Sequence, residues 1–479
     1  MEQRAESTQK ATRRALLLLA AILVVSTGIK LAFATHVDRL PPRNDETAYL
    51  ELAEGMLARG EYTSLFRPPA FPAFIALVVK MGGDLEAVRV SQVFLSALTV
   101  LLGFAIARRH FGTRVALLFA ALMAFDPVLV AFSHLLWSET LYLLLFWSMM
   151  ALLMLPDFRP RPRAQWFLAG LFLGAAGLAR AVVLTVAPII VGWMLWRGHR
   201  GGGASAWSRL RAPLMASCLF AMGALVVVLP WSFRNLRATG AFVLVDTNGA
   251  YNFLIGTDPH AFFIDKDDSW SPHWAKLDEY GYAYVAQRDP AYAQRRAIQL
   301  GLRYVAENPG RYLLACVFEG AQLWTLDSFP MRHLRNGWYG PHSPAWALPL
   351  LVLTSVPLGI VILGAGCLGL LTMPPGPLRT ICSIFLLHSV ALHTLLFSLS
   401  RFQVPMRPLL ALGAAWALLH RGQLWRACVV EGRPTRRGWI ASAIVAALLI
   451  VWFRELPLYW DMLTNGGAEH QFLRRLDAP

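Results

Sequence analysis

Cysteine is scarce in this chain, and acidic residues are outnumbered. Among 479 residues there are five cysteines, Cys218, Cys316, Cys367, Cys382 and Cys428. None forms a CxxC pair, so neither a disulfide framework nor a zinc knuckle is supported. P-loop, GxGxxG, HExxH and nucleophile-elbow motifs are all missing, which argues against an ATPase, a dehydrogenase and a metalloprotease. No internal repeat stands out, so a repeat-built transporter gains no support. Asp and Glu number 29 against 44 Lys and Arg, a formal charge of +15. In a soluble protein that excess would suggest nucleic acid. Here the basic residues cluster in short loops between apolar runs, as the positive-inside rule requires, and no nucleic-acid partner is expected.

What is abundant is apolar sequence. Hydrophobic residues make up 56% of the chain, and the mean hydropathy is +0.47. Runs near the roughly 20 residues needed to cross a bilayer recur along it. The first, Ala15–Ala34, lacks a small-residue cleavage site and reads as a signal anchor, with Lys30 snorkelling to the interface. Further spans are expected at Val88–Ala107, Val115–Phe132, Leu141–Leu155, Trp166–Leu178, Val182–Trp196, Leu214–Leu229, Leu348–Leu371, Ile381–Phe397, Pro405–Leu419 and Ile440–Phe453. The fifth and sixth read as a tight pair. The expected fold is an all-α polytopic membrane protein with about 11 transmembrane helices, juxtamembrane helices on the outer face and one larger outer loop region. Residues 1–230 form an N-terminal transmembrane module with its first outer loop at 35–70, residues 231–345 the large outer loop, and residues 346–479 the C-terminal helices. The basic loops place the N-terminus in the cytoplasm.

Two apolar stretches are read as not spanning, the first as a half-embedded or surface helix and the second as lying at the outer surface. Phe71–Val79 is too short and is crowded by Pro68, Pro69 and Pro72. Counting Tyr312–Trp324 as a span would turn Arg421, Arg426, Arg433, Arg436 and Arg437 outward, against the charge rule. An amphipathic helix with Ile298, Leu302 and Val305 on one face precedes it.

Polar groups gather on the outer side. Asn44-Asp45-Glu46 opens a helix whose residues Tyr49, Leu52, Ala53, Met56 and Leu57 form an apolar stripe. By itself this is a good helix start, with Asn44 as N-cap and two acids against the dipole. Its company suggests more. Ser138-Glu139-Thr140 opens the fourth span, and Gly177-Leu178-Ala179-Arg180 closes the fifth. Pro230-Trp231-Ser232-Phe233-Arg234-Asn235 closes the seventh, followed by Asp246-Thr247-Asn248-Gly249 and Asn252. Ser400-Arg401-Phe402-Gln403-Val404-Pro405 opens the tenth. Charged groups near the hydrocarbon boundary are costly unless paired or used. Arginines at span ends also snorkel, and Arg67 and Lys80 read as surface groups. Asp265-Lys266-Asp267 reads as a solvated turn, and His273, His333 and His342 lack metal spacing.

The DExxY start, the Pro-Trp-(x)2-Arg-Asn element with its downstream Thr-Asn-Gly, and the Arg-Phe-x-x-Pro element occur in one order from the first span to the tenth. Together they resemble the bacterial GT-C glycosyltransferases of the protein-mannosyltransferase and aminoarabinose-transferase kind. Ala181 and Phe402 stand where that family often has Pro and Tyr. The resemblance implies transfer of a sugar, with inversion, from a polyprenyl-phosphate donor to a lipid, glycan or protein acceptor at the outer face of a bacterial inner membrane. It implies Asp45 as base, its pKa raised by partial burial, with Glu46 beside it in the catalytic pair, placed like Glu139 to hold acceptor or donor groups. Arg401, then Arg180 and Arg234, would bind the donor phosphate, since a guanidinium fork matches phosphate geometry. Tyr49, Glu139, Asn248 and Asn252 would bind substrate. No metal site or cofactor is assigned, although the acids could hold a divalent cation. A flippase of a lipid-linked sugar and a glycan polymerase or ligase are the competing readings. A flippase should carry polar residues through the membrane middle.

Overall fold

The computed structural model describes residues 2–37, 42, 45–155, 162–199, 206–257, 289–335, 339 and 344–464. Asn44, Asp265-Lys266-Asp267, His273 and His342 lie outside the described residues. The fold is helical, as expected. The only strands among the described residues are Val429–Val430 and Arg433–Pro434, a two-rung antiparallel hairpin. In chain order the first helices are α1 (Glu2–Val37), α2 (Asp45–Arg59), α3 (Ala70–Lys80), α4 (Leu85–Phe111), α5 (Thr113–Phe125) and α6 (Pro127–Phe132). Then come α7 (Glu139–Met154), α8 (Pro162–Ala179), α9 (Ala187–His199), α10 (Ala206–Thr239) and α11 (Asn248–Thr257). After these follow α12 (Pro290–Glu307), α13 (Pro309–Leu323) and α14 (Phe329–Arg335). The remaining helices are α15 (Ala347–Thr372, with a π turn at Ile360–Ala365), α16 (Pro377–Leu395), α17 (Arg407–Leu419), α18 (Arg421–Cys428) and α19 (Arg436–Thr464).

Six of these helices contain segments long and apolar enough to cross a membrane: Gln9–Thr35, Leu85–Phe111, Leu210–Thr239, Ala347–Thr372, Pro377–Leu395 and Arg436–Thr464. Shorter apolar helices, α3, α5, α7, α9 and α17 among them, complete the bundle. The core runs through α4, α5, α7, α8, α15 and α17, where Phe119, Trp147, Ile362 and Leu410 are buried. Lipid tails are as apolar as leucine, so helices in a bilayer associate through close packing of small residues. The crossing of α8 on α10 shows this. A Cβ on Gly170 would run into the Phe220 carbonyl oxygen, and one on Gly223 into that of Phe167. Gly170→Leu should therefore force the two helices apart and cost about 1–3 kcal/mol. Thermal unfolding of the purified variant in detergent measures that loss.

Several expectations change here. Spans five and six are not each other's main partners, because the glycine contacts commit α8 to α10, and α7 packs on its other side. Span three is broken at Asp126-Pro127, where proline starts a new helix and the Asp126 side chain caps it. Span seven does not end at Pro230, because α10 continues to Thr239. Lys30 does not snorkel. It is 1% exposed and donates to Ser96 Oγ on α4 at 2.8 Å. On α12 the small residues Ala293, Ala297 and Gly301 face the protein, while Ile298 and Leu302 are exposed.

Candidate active site

The end of α8, the starts of α2 and α7 and the turn before α17 meet through their charged residues at one end of the bundle. A cavity of about 670 Å³ lies there. Five charged side chains beside it form one alternating chain. Arg67 Nη2 donates to Asp45 Oδ1 at 2.5 Å, and Asp45 Oδ2 accepts from Arg401 Nη1 at 2.5 Å. Arg401 Nε reaches Glu139 Oε1 at 2.5 Å, and the same oxygen accepts from Arg180 Nη1 at 2.6 Å. Three arginines thus face two carboxylates, one positive charge in excess. The guanidinium of Arg401 also lies 3.8 Å from the ring centroid of buried Trp137, a close cation–π contact.

Local structure aims each of these groups. Asp45 is the first residue of α2. Ser64 Oγ accepts the N–H groups of Phe66 and Arg67, and Tyr62 donates to the carbonyls of Arg67 and Pro68, so Arg67 sits on a fixed turn. Arg180 occupies an extended residue between α8 and a 3-10 turn. Arg401 rides the 3-10 turn Ser400–Gln403. That turn is anchored in turn. Gln403 donates to the Thr325 carbonyl at 2.6 Å and accepts from Arg407 Nη1 at 2.9 Å. Arg407 grips Asp126 with two contacts of 2.5 and 2.9 Å, both residues being buried.

The Pro-Trp-(x)2-Arg-Asn element gains a physical explanation. Trp231 Nε1 donates to the Val245 carbonyl, Ser232 to that of Leu244, and Asn235 to those of Val243 and Val245. One turn of α10 therefore straps the segment 243–245 and delivers Asp246, Asn248 and Asn252 to the cavity wall. Thr247 N–H completes the strap on the Leu65 carbonyl at 2.8 Å.

The structure brings together Asp45, Tyr49, Arg180, Arg401, Asn248 and Asn252 around one cavity, with Glu139 in the ion-pair chain beside it. Two expected site residues are placed elsewhere. Glu46 turns away and accepts the Leu136 N–H at 2.9 Å, tying α2 to the loop before α7. Arg234 stacks over Trp231 and Tyr62 and does not line the cavity. Arg67, read as a surface group, is instead a member of the charged chain, and its neighbours Phe66 and Pro68 gave no sign of that. Burial alone would raise the Asp45 carboxyl, as expected from sequence. Arg401 and Arg67 more than reverse this and hold it down at about 2. The effect of burial on Arg401 is likewise outweighed, by Glu139 and Asp45, which raise its pKa above the ordinary arginine value. His333 is described and buried. Burial, then Arg401 and Arg332, lowers its pKa to about 3, so it is neutral. Among the described residues no group of three His, Cys, Asp or Glu is placed to hold a metal ion.

Residues 66–232 match the family model described as dolichyl-phosphate-mannose-protein mannosyltransferase. Over 206 residues the chain is 31% identical to the undecaprenyl phosphate-alpha-4-amino-4-deoxy-L-arabinose arabinosyl transferase of Pseudomonas aeruginosa strain LESB58, which takes in 39% of this chain and 35% of that protein. The chain therefore matches about a third of the length of these curated relatives. Among solved structures, the oligosaccharyltransferase AglB of Archaeoglobus fulgidus, in complex with an inhibitory peptide and a dolichol-phosphate, aligns with a TM-score of 0.46 at 16% identity, over 90% of this chain and 54% of that one. ArnT of Cupriavidus metallidurans bound to undecaprenyl phosphate aligns with a TM-score of 0.40 at 15% identity, over 84% and 77%. The family match covers the stretch that carries Arg67, Glu139 and Arg180, while Asp45 and Arg401 lie outside it.

Proposed function

We propose that this protein transfers a sugar, with inversion, from a polyprenyl-phosphate donor to an acceptor at the outer face of a bacterial inner membrane. One observation carries the reading: the alternating chain of three arginines and two carboxylates beside a cavity that also has an apolar wall, including Leu184, Leu392 and Leu396. A polyprenyl phosphate offers an apolar tail and an anionic head, and this cavity offers the complement of both. Guanidinium forks bind phosphate bidentately and stabilise the charge that grows on it as the glycosidic bond breaks. The family model and the curated relative support the donor class, since both names contain a polyprenyl phosphate sugar. A flippase finds less support. The buried charges Lys30, Arg89, Asp126, Glu139 and Arg407 lie near the site end of their helices.

The resemblance assigns the base to Asp45. In the resting site that carboxylate belongs to the clamp, and a group held at about 2 is a weak base. It can take a proton only when the donor phosphate replaces it on Arg401. Asp45→Asn is expected to abolish transfer under either role, because it removes the charge linking Arg67 to Arg401, while expression stays intact. Extractable glycolipids and surface glycans should match those of a deletion strain. A variant with wild-type glycan profiles would count against the site.

A further inference from the structure

The following inference rests on the transfer reading above for what Arg401 does. The last helix, α19, reaches the segment 324–326 that follows α13. Trp452 Nε1 donates to the Trp324 carbonyl at 2.9 Å. Glu455 Oε2 accepts the Leu326 N–H at 2.9 Å and the Tyr459 hydroxyl at 2.6 Å. The residue between them, Thr325, offers its carbonyl to Gln403 on the 3-10 turn that carries Arg401. Three successive residues are thus pinned, the outer two to α19 and the middle one to the turn.

The same segment reaches Arg401 by a second path. It runs on into α14, whose Phe329 and His333 rings meet the Trp137 ring edge-on, with centroids 5.5 Å away in both cases. Trp137 is the ring beneath the Arg401 guanidinium. The turn and the side chain of Arg401 therefore rest on one support. Entry to the turn is held separately, since Glu319 of α13 accepts the Ser398 N–H at 2.7 Å.

Glu455 stands apart on α19. Phe453, Leu456 and Trp460 near it are exposed, whereas Glu455 is 7% exposed. A carboxylate buried in a membrane helix is costly unless it is paired or used. Its hydrogen bonds here go to a backbone N–H and to a hydroxyl of its own helix. Anchoring of α19 to the bundle is already provided by Trp452 and by the buried side chains of Leu448, Tyr459 and Met462. That task needs no carboxylate.

We propose that Glu455 is a positioning residue for sugar transfer. It fixes the segment 324–326 and, through Gln403 and Trp137, holds the Arg401 guanidinium facing the lipid phosphate, without touching donor or acceptor. Misplacing a catalytic group by about 1 Å through a distant change can cost roughly 10²-fold in rate, so a remote support of this kind has a measurable effect.

The test uses the full-length chain in lipid nanodiscs, titrated with undecaprenyl phosphate below the unfolding midpoint of each variant. Glu455→Leu should bind it roughly tenfold more weakly, the share of one charge-assisted hydrogen bond. Glu455→Gln keeps an acceptor oxygen for the Leu326 N–H and should bind nearly as the wild type does. In the Arg401→Lys background, Glu455→Leu should cost nothing further, because the group it positions is gone. Losses that simply add in the double variant overturn the proposal. Solid-state NMR of protein labelled with ¹⁵N-arginine reads the positioning directly. The Arg401 Nε signal, assigned by its loss in Arg401→Lys, should shift or broaden in Glu455→Leu and return in Glu455→Gln. An Arg401 signal unmoved in folded Glu455→Leu also overturns it. If Glu455→Leu does not fold, Trp452→Phe, which frees the same segment at one point, is read in the same two ways. A wild-type protein that binds no undecaprenyl phosphate counts against the transfer reading, and the arginine signal then still decides whether Glu455 positions Arg401.

Discussion

Arg401→Gln is expected to slow sugar transfer by roughly 10²–10³-fold, the usual loss when a group stabilising transition-state charge is removed. It is also expected to weaken the fold, because two carboxylates lose a partner. Glu139 is fully buried and would retain only Arg180. Leaving a buried charge undercompensated costs about 3–5 kcal/mol when the partner is lost outright. Arg401→Lys separates the two effects. A lysine restores the charge but not the planar fork that spans Asp45 and Glu139 in one plane. It should recover most of the thermal stability and little of the rate. Titration with undecaprenyl phosphate should show weakened binding for both variants. Near wild-type kcat and lipid-phosphate affinity in Arg401→Lys would mean that Arg401 is not the phosphate clamp.

Arg407→Leu should be the most destabilising single change among those described. Arg407 and Asp126 are buried and grip each other by two hydrogen bonds. Removing one partner leaves the other charged and unpaired, at a cost of about 3–5 kcal/mol. Replacing both partners by leucine should return much of that stability, since a buried pair offsets its own desolvation only partly. The double variant should nevertheless transfer sugar slowly. Arg407 also donates to Gln403, and Gln403 holds the turn that carries Arg401. A folded double variant with a full rate would show that the pair supports only stability. Folding is read from thermal unfolding in detergent, and the rate from release of undecaprenyl phosphate.

Most of the expected spans coincide with helices, six of them long and apolar enough to cross a membrane, because length and apolarity are local properties, readable from any run of about 20 residues. The continuation of α10 through Pro230 was hidden, because a proline inside a helix removes a hydrogen bond and usually marks an end. The broken third span shows the opposite, a proline that does start a new helix because Asp126 caps it. In the site, Asp45, Arg180 and Arg401 stood out as charges at the edges of apolar runs. Arg67 did not, since an arginine between Phe66 and two prolines looks like ordinary loop. The pairing itself was out of reach, because Asp45 and Arg401 are 356 residues apart and meet only after the bundle closes. The strap from Trp231, Ser232 and Asn235 was visible as a motif, but the backbone carbonyls it holds carry no side-chain signature.

Under the proposed transfer reaction, the alternating charges have a consequence for the end of the cycle. A site that grips a lipid phosphate through bare arginines would be slow to let it go. Here the guanidiniums already have internal counterions, Asp45 and Glu139, fixed within hydrogen-bonding reach. A departing polyprenyl phosphate would therefore be replaced by carboxylates that need not diffuse in. Under the proposed reaction the resting ion pairs would act as a return path, the clamp resetting itself as the spent lipid slides back to the bilayer instead of poisoning the cavity.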